Sequence, residues 1–210
     1  PSLQYQIDSN FLPDGWRSYM ARAVKDKFGK PVINAGNYRD PEVVEKVLES
    51  GDVDIVGMGR GLIAEPNWVS KVQNGEEEIL RKCISCNVGC AGNRIGINRP
   101  IRCTVNPNVP DGEEYKKYKI TKPCNVVVIG GGTAGMEAAC TAAEVGCTTF
   151  LLEKKPYLGG LAAEISKIPD KKRLADFPNY MIHRTNKLKN LFAFTNTDAN
   201  VDFIKNLKPN

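Results

Sequence analysis

Val126-Val127-Val128-Ile129-Gly130-Gly131-Gly132-Thr133-Ala134-Gly135 is the stretch on which the fold turns. Four β-branched residues in a row, stopped by glycine, read as a short buried strand. Gly130-x-Gly132-x-x-Gly135 follows at once and runs into a helix over about Ala134 to Val145. In that setting the glycines permit a tight turn, close approach of backbone to a pyrophosphate and close helix–strand packing. The helix N-terminus then turns free N–H groups towards the phosphates. Thr148 to Glu153 reads as the next strand, and Glu153, 18 residues after Gly135, stands where an acid binds ribose hydroxyls. A ligand-free glycine turn is the bland alternative. Residues 171–190 read as a polar helix, with His183, the single histidine, on its surface.

Upstream, residues 1 to about 75 alternate helix and strand. A helix capped by Asp14 carries Trp16, Met20, Val24 and Phe28 as one apolar stripe, and Gly29 ends it. Pro31 to Ala35 reads as a short buried strand. Asp40-Pro41 is an N-cap followed by proline at the first helical position, and that helix offers Val43, Val44, Val47 and Leu48 for burial before stopping at Ser50-Gly51. A second strand, Val53 to Met58, starts 22 residues after the first, a βαβ spacing that implies parallel pairing. A helix around Pro66 to Gln73 follows. The two strands end in Asn34-Ala35-Gly36-Asn37 and Gly57-Met58-Gly59-Arg60. Loops after the last two strands of a (βα)8 barrel often bind phosphate, here with N–H groups at Gly36 and Gly59 and a guanidinium fork at Arg60. Taken alone, they serve equally well as ordinary turns.

Between these regions, residues 76 to 122 hold few residues able to build a core, so the segment needs a staple. Asp111 to Lys119 reads as an exposed linker. Cys83-x2-Cys86-x3-Cys90-x12-Cys103 supplies candidate ligands. Three close cysteines plus one remote fit an iron–sulfur cubane better than paired zinc knuckles, and zinc stays open on spacing alone. Seven cysteines in all, four of them between 83 and 103, fit metal ligation in a reducing cytoplasm better than a disulfide framework. Cys124, Cys140 and Cys147 read as core or surface thiols without a visible partner.

The 210 residues are 41% hydrophobic and 25% charged, which excludes a disordered or fibrous chain. Apolar runs such as Val126 to Ile129 are far short of the roughly 20 residues of a membrane span. The net charge of +5 comes from basic residues that are scattered or mixed with acids, as in Asp170-Lys171-Lys172-Arg173, with no nucleic-acid stripe. Pro1 opens the chain with neither initiator Met nor leader, as expected for a piece of something longer.

Taken in order, several stretches carry a family resemblance. They are Asp52-Val53-Asp54-Ile55-Val56-Gly57-Met58-Gly59-Arg60, Cys83-Ile84-Ser85-Cys86-Asn87-Val88-Gly89-Cys90, Cys103-Thr104-Val105-Asn106-Pro107, the glycine loop extended to Ala139, and Leu152-Glu153-Lys154-Lys155-Pro156-Tyr157-Leu158-Gly159-Gly160. The chain resembles the iron–sulfur flavoenzymes related to Old Yellow Enzyme, an NADH:flavin oxidoreductase family. Its members include 2,4-dienoyl-CoA reductase, 2-enoate reductase, the bile-acid enoyl reductases and trimethylamine dehydrogenase.

The resemblance implies an α/β architecture. Residues 1–75 would be the C-terminal end of an FMN-binding TIM barrel, 76–122 an iron–sulfur segment and linker, and 123–210 the first half of a Rossmann-like FAD/NAD(P)-binding domain. It implies electron flow from NAD(P)H to FAD, to a 4Fe–4S cluster, to FMN, and then to an activated C=C bond of an unsaturated acid or acyl-CoA. It makes Cys83, Cys86, Cys90 and Cys103 the cluster ligands, and Gly36, Asn37, Gly59 and Arg60 the FMN phosphate site. Gly130, Gly132, Ala134, Gly135, Glu153 and Gly160 would hold FAD. Leu161 and Lys171 are further FAD candidates, although Leu161 departs from the common Gln. Tyr5 and Gln6 would fall near the substrate side of FMN.

No residue here matches the family's proton donor, so no catalytic residue is implied, and the segment alone is expected to be inactive. A trimethylamine-type amine dehydrogenase and a non-catalytic, zinc-stapled binding module are the alternatives. Neither nucleic acid nor membrane is implied as a partner, and a homo-oligomer is compatible with the family.

Overall fold

The computed structural model describes residues 7–109 and 116–210, so Tyr5, Gln6 and the start of the expected linker at Asp111 lie outside the described residues. The chain divides into two compact units, Pro1–Gly112 and Glu113–Asn210.

The first unit runs α1 (Ser18–Phe28), β1 (Ile33–Asn34), α2 (Pro41–Glu49), β2 (Ile55–Val56), α3 (Arg60–Ala64) and α4 (Trp68–Gln73). The strands pair in parallel, Ile33 opposite Ile55 and Asn34 opposite Val56, as the βαβ spacing demands. Asp40 caps α2 by accepting from the Glu42 N–H, and Pro41 takes its first position. Asp14 does not cap α1, whose N-cap is Arg17. Its carboxylate turns instead to Arg39 at 2.8 Å.

The expected burial fails in this unit. Met20, Val24 and Phe28 of α1 are exposed, as are Ile33, Leu48 and Ile55. A sheet of two two-residue strands gives them no opposing layer among the described residues. The core gathers instead around Tyr38, Val53, Ala64 and Trp68, joined by Leu80 and Val105. The last two come from the cysteine segment, which therefore contributes more core than its composition suggests.

The second unit runs β3 (Asn125–Ile129), α5 (Thr133–Val145), β4 (Thr148–Leu152), α6 (Gly160–Ile165), α7 (Asp176–Lys187), β5 (Leu191–Phe194) and α8 (Val201–Asn206). Its strands lie in the order β3-β4-β5, all parallel. Met136, Ala139, Cys140 and Ala143 of α5 meet Leu151, Leu191, Tyr180 and Met181 in one core. So α7 is not simply polar: His183 is exposed as expected, while Tyr180, Met181 and Thr185 face inward. Nor is β3 buried: its residues are half-buried and Ile129 is 62% exposed, since β3 pairs only with β4 among the described strands.

Among the described residues, no helix is long and apolar enough to cross a membrane. Met181→Ala in the core should cost about 2–5 kcal/mol of stability. Exposed Met20→Ala should stay within about 0.5 kcal/mol. Denaturant unfolding of the two variants checks both.

Candidate functional site

A cavity of about 350 Å³ lies in the first unit, walled by the loops that follow β1 and β2. Gly36, Asn37, Gly59 and Arg60 all line it, together with Asp8, Arg17, Cys83 and Cys90. Asn37 takes the left-handed conformation, with φ of 60°. Its side-chain oxygen accepts from the Ser85 hydroxyl at 2.7 Å and from Arg60 at 3.3 Å. Arg60 also donates to the Asp8 carbonyl and to Asn87. Asp8 is the residue that sequence reasoning missed. Its buried carboxylate pairs with Arg17 at 2.9 Å and Arg60 at 3.3 Å, and accepts from the Trp16 indole at 2.7 Å. Two guanidinium groups against one carboxylate leave a cation in excess at the wall, which suits an anion. No spacing around Asp8 announces this, because both of its cationic partners are set by tertiary contact.

A second, small cavity is lined by Cys83, Cys86, Cys90 and Cys103 together. Local geometry explains the convergence. Ser85 and Asn87 take positive φ, and Val88–Gly96 winds as a wide π-helix. Gly89 lies so close to the other strand of chain that a Cβ there would sit 2.7 Å from the Arg102 carbonyl oxygen. The Arg102 N–H donates to the Gly89 oxygen at 2.7 Å, which delivers Cys103 to the other three. The Ser85 N–H donates to Cys83 Sγ at 3.4 Å, and Cys86 Sγ lies 3.2 Å from Thr104 Oγ1. Burial pushes the Cys83 and Cys103 thiols up, neighbouring thiols add to the rise, and backbone N–H groups oppose it, helped at Cys83 by Arg60. Among the described residues, no three His, Cys, Asp or Glu side chains converge as one metal ion requires. The four thiols border one small shared space.

In the second unit, Gly130 ends β3 at φ of 99° and its N–H donates to the Leu152 oxygen at 2.7 Å. Gly135 has no room for a side chain: a Cβ would lie 1.8 Å from the Gly130 oxygen. Gly132 precedes the α5 N-terminus, which carries no side-chain cap, and Ala134 lies in its first turn. Gly160 packs against Gly132, with the Gly159 N–H donating to the Gly131 oxygen at 2.8 Å. Glu153 accepts from the Gly131 N–H at 2.6 Å and the Lys155 N–H at 2.8 Å. Burial raises its pKa, but these bonds and the nearby lysines outweigh that and hold it below the usual carboxylate range. Leu161 projects from α6 and is 73% exposed, while Lys171 sits in the 3-10 segment Pro169–Ala175.

The remaining thiols do have partners, contrary to the sequence reading. Cys124 Sγ lies 2.8 Å from Cys147 Sγ, and Cys140 Sγ lies 3.4 Å from Thr185 Oγ1. Strand register and the packing of α7 create these pairs, and neither shows in linear spacing.

Known proteins resemble this chain over most of its length. Residues 8–78 match the NADH:flavin oxidoreductase / NADH oxidase family, and residues 125–188 match the FAD dependent oxidoreductase family. An NADH oxidase of Thermoanaerobacter brockii is 42% identical over 183 residues, 86% of this chain and 28% of that protein. A bilirubin reductase of Mediterraneibacter gnavus is 36% identical over 182 residues, 85% of this chain and 27% of that one. A 2-naphthoyl-CoA reductase of known structure superposes with a TM-score of 0.90 at 31% identity, covering 96% of this chain and 31% of that one. The chain thus spans less than a third of the length of these relatives.

The Glu153 geometry sets a pH dependence. A carboxyl held below its ordinary 4.5 stabilises the fold fully above that value, and the stabilisation fades as pH falls through the folded value. Thermal unfolding of the second unit should therefore shift down below pH 4.5, and Glu153→Gln should flatten that part of the profile.

Proposed function

We propose that this chain, whose residues 8–78 match the NADH:flavin oxidoreductase / NADH oxidase family, is a segment of an NAD(P)H-dependent flavin and iron–sulfur oxidoreductase that reduces an activated C=C bond. The observation that carries the reading is a shared wall: Cys83, Cys90, Arg60 and Ile63 line both the anion-suited cavity and the four-thiol cavity. One-electron and two-electron chemistry need such neighbouring sites.

The donor set fits an iron–sulfur cubane. Zinc would draw all four sulfurs to about 2.3 Å from one centre. A cubane takes one thiolate per iron and so asks for thiols around a space. Cys83, Cys86, Cys90 and Cys103 would hold the cluster, which when bound would supply single-electron exchange. The protein's own part is electrostatic. The Ser85 N–H steadies negative charge on Cys83, and backbone N–H groups do the same for Cys103. Arg60, with Arg17 in support, offers the FMN phosphate a positive wall, while N–H groups at Gly36 and Gly59 complete the loops. In the second unit the uncapped α5 N-terminus would hold the FAD pyrophosphate, and Glu153 would offer lone pairs to ribose hydroxyls.

An unsaturated acid or acyl-CoA is the substrate class. The support is that two relatives are named as reductases, of bilirubin and of 2-naphthoyl-CoA. This places reduction ahead of amine dehydrogenation. A reducing cytoplasm suits the exposed Cys86 thiol.

Anaerobically purified protein should be brown and hold about four iron and four sulfide per chain. Zinc in place of iron, or no metal at all, overturns the reading. Cys86→Ser should lose the cluster and open residues 83–107 to limited proteolysis.

A further inference from the structure

Cys124 and Cys147 lie in the second unit, outside every cofactor site described above. They flank the first registered pair of two parallel strands, Asn125 opposite Thr148. The Thr148 N–H donates to the Cys124 oxygen at 3.0 Å, so the two cysteines face each other across the start of the β3–β4 ladder. Paired strands lie about 4.8 Å apart. That is inside the Cα separation a disulfide spans without backbone movement. Registered residues of parallel strands also point to the same face, and here the sulfurs are 2.8 Å apart with both thiols free. Cys140, the third thiol of the unit, has no such facing partner, since its sulfur lies against Thr185.

We propose that Cys124 and Cys147 are a redox modification site: a disulfide that peroxide closes and a dithiol reductant reopens. Cys124 is half-buried and meets the oxidant, while Cys147 is buried behind it. The contact with Cys124, then burial, pushes the Cys147 thiol up. In the first step the Cys124 sulfur attacks the O–O bond of hydrogen peroxide, giving the sulfenic acid and one water. In the second step Cys147 Sγ attacks Cys124 Sγ. The S–S bond forms, the S–O bond breaks, and the hydroxyl leaves with the Cys147 proton as a second water. Two thiols have then lost two electrons and two protons to one peroxide. A dithiol returns them by exchange. The bond would tie together the starts of the strands whose far ends carry Gly130 and Glu153, closing a loop between positions 23 apart.

The test is differential alkylation and peptide mapping of the folded chain before and after hydrogen peroxide. Cleavage after Glu137 and Glu144 puts Cys124, Cys140 and Cys147 on three different peptides. The expected product joins the Cys124 and Cys147 peptides, lighter by two hydrogens, with Cys140 still alkylatable, and dithiothreitol reverses it. The oxidised form should also unfold at a higher temperature than the reduced form. In Cys147→Ser, Cys124 should accumulate as a sulfenic acid that dimedone traps. Should that variant fail to fold, the wild-type map still decides. Full alkylation of both residues after peroxide, or linkage of Cys124 to Cys140 or to another chain, overturns the proposal. Since the readout is on these peptides alone, it stands or falls independently of the iron–sulfur reading.

Discussion

The Arg60 guanidinium is the joint on which the first unit depends. It reaches Asp8, Asn37 and Asn87, which lie 52, 23 and 27 positions away along the chain. Removing a guanidinium from water is costly unless its donors are met. Here they are met by the segment before α1, the loop after β1 and the start of the cysteine segment. One side chain therefore fixes three otherwise separate stretches around the same cavity. It also sets the charge there, because Asp8 answers only one of the two guanidinium groups it touches, and Cys83 lies within the same field.

The second unit reaches its site by the opposite means. The backbone organises the glycine loop by close approach, with one carboxylate in support. Gly135 over the Gly130 oxygen and Gly160 against Gly132 leave no space for side chains. Glu153 then uses its two oxygens to clamp the turn from the neighbouring strand. The surroundings of the cysteine cavity mix both strategies, with the backbone contact at Gly89, the Ser85 N–H donating to Cys83 and a hydrogen bond between Cys86 and Thr104.

What could be read from the sequence was local. The Asp40-Pro41 cap and the strand–loop–helix at Gly130 depend on residues close along the chain, and the parallel pairing follows from the βαβ order alone, so all three appear as expected. Burial was misread where it depends on neighbours. The α1 stripe has the right period, but the small β1–β2 sheet gives it nothing to cover. In α7 the inward face is narrow, Tyr180, Met181 and Thr185 among polar residues, so its period was hidden. Asp8 and the Cys124–Cys147 contact were illegible for a deeper reason. Each is a product of register or of a long-range ion pair, and composition carries no trace of either.

The all-parallel sheet of the second unit has a kinetic side. Asn125 pairs with Thr148 and Thr149 with Leu191, so the ladders join positions 23 and 42 apart. The closure entropy of both crossovers must be met before the core around Met136 and Met181 gives anything back. Helix α5, whose hydrogen bonds are local, forms within microseconds and waits for its strands. The unit therefore folds more slowly than a helical bundle of its size. During that delay its valine-rich first strand stays unpaired and open to neighbouring chains.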